Sequence, residues 1–261
     1  MNNVVLMALV ATLGTWFITA LGAATVLFIR RPNQSFLNLM LGFSAGVMIA
    51  ASFWSLLQPA IERAENTLSV PSYIVVTLGF LFGAIFIWIS DRAVTYAFNR
   101  ADKYSNNNNK KISRVIMLIM SITLHNIPEG IAIGVAFGNN LYGGSLIAAI
   151  SLTLGIAIQN FPEGAAISIP LKRDNISCGK AFFLGSISGI GEPIFAVIGS
   201  LLILKMKYLL TFILSFAAGA MIFVTVFDLI PESQSSEKKD LMAILFIIGF
   251  VIMMSLDVLL G

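Results

Sequence analysis

Residues 125–130 read HNIPEG and residues 159–164 read QNFPEG, each inside a long apolar run. They supply one imidazole, His125, the only histidine in the chain. They also supply two carboxylates, Glu129 and Glu163, and three amides, Asn126, Gln159 and Asn160. A third carboxylate, Glu192, stands in GEP at 191–193 within another apolar run. If these runs are helices, His125 and Glu129 share a face, as do Gln159 and Glu163, because residues four apart are neighbours on a helix. Ionisable groups at bilayer depth cost at least about 2.5 kcal/mol each on insertion scales, so their default reading is functional. Three carboxylates in one region repel one another unless a cation or protons sit among them. One imidazole, three carboxylates and several amide oxygens suit a borderline divalent cation such as Zn²⁺ or Fe²⁺. The oxygen-rich balance and the lack of a thiolate describe a site that a metal can leave. The plainer alternative, a polar network that only ties helices together, applies most to the three amides.

Each of these carboxylates adjoins a proline. Pro128, Pro162 and Pro193 have no N–H to donate, so the carbonyls of Leu124, Ile158 and Gly189 lose their usual partner. The spacing predicts helices loosened one turn before each proline, with freed carbonyls lining a polar cavity.

The elements that must position these groups follow from composition. The chain has 261 residues, 57% hydrophobic and 11% charged, with a mean hydropathy of +0.90. A soluble domain of this size could not cover so much apolar surface. A β-barrel would show short alternating segments, which are absent. Eight apolar runs have the length a bilayer requires, at 4–29, 36–58, 72–98, 115–137, 144–170, 180–203, 208–230 and 241–260. Backbone groups in hydrocarbon must be satisfied within each segment, so the runs are read as helices. The segment 99–114, NRADKYSNNNNKKISR, is polar and reads as a connecting loop between spans 3 and 4. Cys178 stands alone and cannot form an internal disulfide.

Charge placement predicts the orientation. Of 16 Lys and Arg residues, 13 lie on one side of the eight spans, leaving Arg63, Lys205 and Lys207 on the other. The positive-inside rule then puts both termini outside and the asparagine-rich loop in the cytoplasm. The sequence pI near 9.1 is thereby a topology signal and gives no support to nucleic-acid binding. The first span has no positive n-region and no small-residue cleavage site, so it reads as a retained helix.

Two internal repeats complete the picture. LGFSAGVMIAASFWSLLQP (41–59) aligns without gaps to LSFAAGAMIFVTVFDLIPE (214–232), pairing Gly46 with Gly219 among others. The copies lie on spans 2 and 7, an odd number of spans apart, so they cross the membrane in opposite directions. HNIPEG and QNFPEG lie on adjacent, antiparallel spans. Opposed repeats are a transporter signature, with a substrate site expected near the midplane. The reading is a single domain over 1–261, an all-α integral membrane protein of eight transmembrane helices. Helices 1–3 and 6–8 form inverted repeats around the central antiparallel pair, helices 4 and 5.

HNIPEG on span 4, N-x-P-E-G on span 5 and a glutamate on span 6 resemble the ZIP family of divalent-metal transporters. The glutamine opening the second motif is similar to the bacterial GufA-type branch. The resemblance covers the whole chain and implies uptake of zinc and related metals into the cytoplasm, across the cell (inner) membrane. It implies a binuclear site: His125, Glu129, Gln159 and Glu163 for one metal, Asn126, Asn160 and Glu192 for the other, with Glu129 and Glu163 bridging. It makes Ser55 a path residue, and Glu62 and Asp257 entrance acids, although surface charge explains those two equally. Relatives often carry His-Glu near the inner end of helix 7; here the chain reads Phe227-Asp228, which leaves Asp228 between an exit site and a helix-end charge. The histidine-rich loop cluster of many relatives is replaced by NNNN, so metal sensing there is not expected. A homodimer is an expectation from the family, and no catalytic cofactor is expected.

Other readings compete. An intramembrane enzyme would need a motif such as HExxH or GxGD, or a serine with a suitable histidine, and these are missing. A proton-coupled transporter of a small organic cation would use Glu129 and Glu163 as a relay, but the amides beside His125 favour metal. A passive, channel-like mode remains open, since sites do not reveal rates.

Overall fold

The computed structural model describes residues 2–29, 34–67, 71–103, 107–234 and 239–260, and among them the chain is helical without a strand. Eight long helices follow in order: α1 (Asn2–Phe28), α2 (Gln34–Asn66), α3 (Ser72–Lys103) and α4 (Asn107–Asn139). Then come α5 (Leu146–Arg173), α6 (Cys178–Lys205), α7 (Lys207–Ser233) and α8 (Lys239–Leu260). All but α4 are long and apolar enough among the described residues to cross a membrane. Helix α4 has 33 residues, about 50 Å at the helical rise, and carries HNIPEG. The expected loop at 99–114 is entered by helix from both sides, since α3 runs to Lys103 and α4 starts at Asn107. Once an apolar run has nucleated a helix, each further residue adds a hydrogen bond, and polar residues can extend it. Residues 104–106 lie outside the described residues, as do Arg30, Arg31 and Lys238 of the basic connectors.

Large apolar side chains on α1, α3 and α8 face outward, among them Phe17, Phe82, Phe86, Ile244 and Ile247. Such a surface is stable in hydrocarbon and not in water. Inside, the contacts are made by small residues. A Cβ on Gly22 of α1 would overlap the carbonyl of Phe161 on α5, and one on Gly164 of α5 would overlap the carbonyl of Thr19. The same reciprocity joins α4 to α6 through Gly134 and Gly199, α3 to α7 through Gly83 and Gly219, and α2 to α8 through Gly46 and Gly249. Without an apolar driving force between helices in lipid, backbone approach of this sort supplies the packing energy.

These pairings are arranged with internal symmetry. Exchanging α1 with α6, α2 with α7, α3 with α8 and α4 with α5 turns the α1–α5 contact into α6–α4, and α2–α8 into α7–α3. All four are extensive, as are the self-related contacts α1–α6 and α2–α7. The result is the inverted repeat that the aligned segments predict. Both copies also share a local irregularity: α2 widens into a π-helical turn at Ser52–Leu57, and α7 does so at Thr225–Leu229. Each turn lies just before a proline, Pro59 or Pro231, which removes a donor from the helical ladder.

The other prolines act unequally. Helices α4 and α5 stay helical through Pro128 and Pro162, whereas α6 tightens to a 3₁₀ turn at Ser188–Ile190 before Pro193. Short connections are shaped locally. Gly143, at φ 94°, takes the left-handed conformation between α4 and α5, and Ser145 caps α5 by accepting from Ala148 N at 3.2 Å.

Candidate metal site

Helix α4 brings Asn126 and Glu129 into the interior, α5 brings Gln159, Asn160 and Glu163, and α6 brings Glu192; all six are buried. Each of their amide nitrogens donates to a carboxylate of the group or to a backbone carbonyl. Gln159 Nε2 donates to Glu129 Oε1 at 2.6 Å, Asn160 Nδ2 donates to Glu192 Oε1 at 2.6 Å, and Asn126 Nδ2 donates to the Ser188 carbonyl at 2.9 Å. That last carbonyl belongs to the tightened turn of α6, so the irregular backbone is satisfied from α4. What is left over is oxygen. Asn126 Oδ1, Glu129 Oε2, Gln159 Oε1 and Asn160 Oδ1 are buried and accept no hydrogen bond.

Buried acceptors without donors cost roughly 1–3 kcal/mol apiece, and four together among three glutamates form a region that favours positive charge. Glu129 interacts electrostatically with both Glu163 and Glu192. Carboxylate and amide oxygens of this kind are the donor types that oxygen-preferring divalent cations take.

His125 and Glu129 stand four apart on the unbroken α4 helix, and the imidazole has a partner on another helix. Its Nε2 lies 3.1 Å from Asp228 Oδ2 on α7, with side chains 11% and 32% exposed. Asp228 is therefore no bare helix-end charge, because it engages the imidazole. Correspondingly, no three His, Cys, Asp or Glu side chains converge tightly enough to hold an ion as they stand among the described residues.

Toward the α4–α5 connection, a cavity of about 610 Å³ is lined by Gln58, Glu62, Arg63 and Asn139, and reaches Ser55 and Asp257. Asp257 is 8% exposed, so it is no surface charge. Ser55 donates to its two oxygens at 2.8 and 2.9 Å, and Ser151 of α5 donates to Oδ1 at 3.0 Å. Glu62 stays exposed and accepts from Gln58 Nε2 at 2.8 Å. Beside it, Arg63 ties α2 to the α4–α5 connection, donating to the Tyr142 carbonyl at 3.1 Å.

A family model described as ZIP zinc transporter matches residues 4–115 and 110–257. The chain belongs to the ZIP family. It is 37% identical to the zinc transporter ZIP11 of Xenopus tropicalis, with 98% of each chain covered. It is 34% identical to the zinc transporter ZupT of Clostridium perfringens, over 97% of this chain and 95% of that one. To the zinc transporter ZIPB of Bordetella bronchiseptica it is 34% identical, over 93% of this chain and 78% of that one. Relatives named as transporters set the enzymatic reading aside, and this ZIP-family protein is a multi-pass membrane protein.

Three residues of the ZIP-family protein were not singled out from sequence. Ser151 completes the Asp257 cluster, Thr15 of α1 donates to Glu192, and Asp91 of α3 lies within electrostatic range of Asp228 and His125. For Asp91 a signal existed in the repeats. It stands eight residues after Gly83, as Asp257 stands eight after Gly249. Ser55 follows Gly46 by nine residues, as Asp228 follows Gly219. The Ser55–Asp257 pair and the Asp228–Asp91 pair are thus counterparts under the inverted repeat. Serine and threonine carry no comparable signal, because such residues are common on helices that satisfy their hydroxyls internally.

Proposed function

We propose that this ZIP-family protein carries zinc, and with it Cd²⁺, Fe²⁺, Mn²⁺ and Co²⁺, across the membrane into the cytoplasm through a binuclear site at the midplane. The observation that carries the reading is the set of four buried, unpartnered oxygens of Asn126, Glu129, Gln159 and Asn160 beside the Glu163 and Glu192 carboxylates. One position uses His125, Glu129, Gln159 and Glu163. The other uses Asn126, Asn160 and Glu192, and Glu129 and Glu163 bridge the two. The family match and the zinc transporters among its relatives support the substrate class.

A route follows from where the acids stand. Metal enters past Glu62 and the Ser55–Asp257 cluster, rests at the paired positions and leaves past Asp228. His125 takes part twice: it completes the first position, and it returns to Asp228 as metal departs. Competition between Asp228 and the metal for one imidazole favours release, since the site then loses its only nitrogen ligand. The basic connectors face the cytoplasm and both termini face outward, in the cell (inner) membrane.

The test is uptake of each of the five metals by proteoliposomes containing purified protein, with a small organic cation as competitor. Zinc uptake is expected, reduced by the other metals and indifferent to the organic cation. Transport of the organic cation without transport of any metal would overturn the reading in favour of a carboxylate proton relay.

A further inference from the structure

Helix α1 carries threonines at 12, 15, 19 and 25 in an otherwise apolar run. A threonine in a membrane helix ordinarily returns its hydroxyl hydrogen to a carbonyl one turn back. Thr12 does so to Ala8 O at 2.7 Å, Thr19 to Thr15 O at 3.3 Å and Thr25 to Gly22 O at 2.7 Å. Thr15 departs from this. Its hydroxyl has the Thr12 carbonyl at 3.1 Å, but it also donates across the helix interface to Glu192 Oε2 on α6. Both side chains are out of solvent, Thr15 at 1% exposure and Glu192 at 0%.

The surroundings are built to hold that contact. Trp16 Nε1 donates to the Ser186 carbonyl at 2.7 Å, which pins α1 to α6 one residue from Thr15. Gly189 faces Trp16 and Thr19, where a Cβ would come within 2.9 Å of Trp16 Cδ1. A side chain there would push α1 away from Glu192. From α5, Asn160 Nδ2 reaches Glu192 Oε1 at 2.6 Å and the Thr15 carbonyl at 3.4 Å. Each oxygen of Glu192 therefore meets one donor, and the two donors come from different helices.

We infer that Thr15 is a positioning residue for the second metal position: its hydroxyl fixes the orientation of Glu192 and turns the carboxylate's remaining lone pairs toward the cation. This deepens the transport reading and rests on it. A carboxylate oxygen that accepts one hydrogen bond keeps a lone pair for a metal. Outer partners that orient a ligand in this way alter metal affinity or activity by roughly 10- to 100-fold. Helix α1, which contributes no metal ligand, is in this way part of the binding site.

The experiment measures concentration-dependent Zn²⁺ uptake in proteoliposomes for wild type, Thr15→Val, Thr15→Ser and Glu163→Ala. Valine keeps the branched shape and removes the hydroxyl; serine keeps the hydroxyl and loses a methyl. Thr15→Val is expected to raise the apparent KM for Zn²⁺ by about tenfold or more, with a smaller change in maximal rate. Thr15→Ser is expected to stay near the wild-type KM. An unchanged KM in Thr15→Val overturns the inference, and so does an equal rise in both variants, which would indicate packing alone. Should valine not fold, Thr15→Ala repeats the deletion, and the same comparison with serine decides. Glu163→Ala separates the two levels. Absence of Zn²⁺ uptake by wild type removes the transport reading itself, and normal uptake by Glu163→Ala removes the assigned site, whereas an inactive Glu163→Ala beside a wild-type KM in Thr15→Val removes only the role of Thr15.

Discussion

Glu163 and Glu192 are both buried in the site, and they differ in the company they keep. Glu192 is held by donors from α1 and α5, while Glu163 is the carboxylate proposed to bridge both metals. Glu163→Ala should therefore lower zinc uptake by more than the roughly 10- to 100-fold that loss of an outer partner costs, with the protein still reaching the membrane. Glu192→Ala should fall less, because one position keeps its ligands. Uptake assays at matched surface abundance compare the two, and equal, complete loss would mean that both positions must fill. Gln159 is the point where the two motifs diverge, and its Oε1 is one of the unpartnered oxygens. An imidazole nitrogen binds zinc more strongly than an amide oxygen. Gln159→His should lower the apparent KM for Zn²⁺, raise the Zn²⁺/Mn²⁺ preference several-fold and leave maximal rate equal or lower, since tighter binding slows release. A folded, active variant with an unchanged Zn²⁺/Mn²⁺ ratio would exclude residue 159 from the metal.

Helices in this protein touch backbone to backbone, so their tolerance to added atoms is small. Gly46 stands against the Phe246 carbonyl on α8 and Gly219 against the Phe80 carbonyl on α3, with room for no Cβ at either place. The aligned repeats mark these two glycines as equivalent, and leucine at either would wedge the helices apart. The contacts show that a single methyl is enough. Gly46→Ala and Gly219→Ala should each cost about 1–3 kcal/mol or more by overpacking and depress transport, although neither residue touches a metal ligand. The observable is the melting temperature of purified protein alongside zinc uptake. Wild-type values in both variants would contradict the packing at these two interfaces.

The eight helices form one assembly in which each half repeats the other upside down, and the polar groups obey the same operation. Ser55 and Asp257 lie toward the α4–α5 connection, and their counterparts Asp228 and Asp91 lie along the other half. Such an arrangement offers a cation an acidic station on either side of the central site, which suits alternating exposure of a site between repeats. Its direction depends on orientation, and Cys178, the single cysteine, reports that. It opens α6 beside the basic α5–α6 connection and is half-buried. A membrane-impermeant maleimide should label it only after cells are permeabilised. Labelling of intact cells would reverse the assigned orientation and with it the proposed direction of transport.

Much of this was legible before any coordinates. Apolar run length, proline positions, charge asymmetry and the i, i+4 spacing within HNIPEG and QNFPEG are local properties, so they announced the membrane class, the eight spans and seven candidate ligands. The repeats added the inverted pairing, because a helix-packing glycine leaves its mark in both copies. Partners across helices are another matter. That His125 faces Asp228, that Asp257 is locked by Ser55 and Ser151, and that Thr15 of α1 holds Glu192 depends on how far each helix is rotated about its axis and slid along its neighbour. Those rotations are set by many backbone contacts acting together, Gly22 on Phe161 and Gly134 on Ala196 among them. No short window of residues encodes them, and it took the packed bundle to bring a threonine from the first helix into the site.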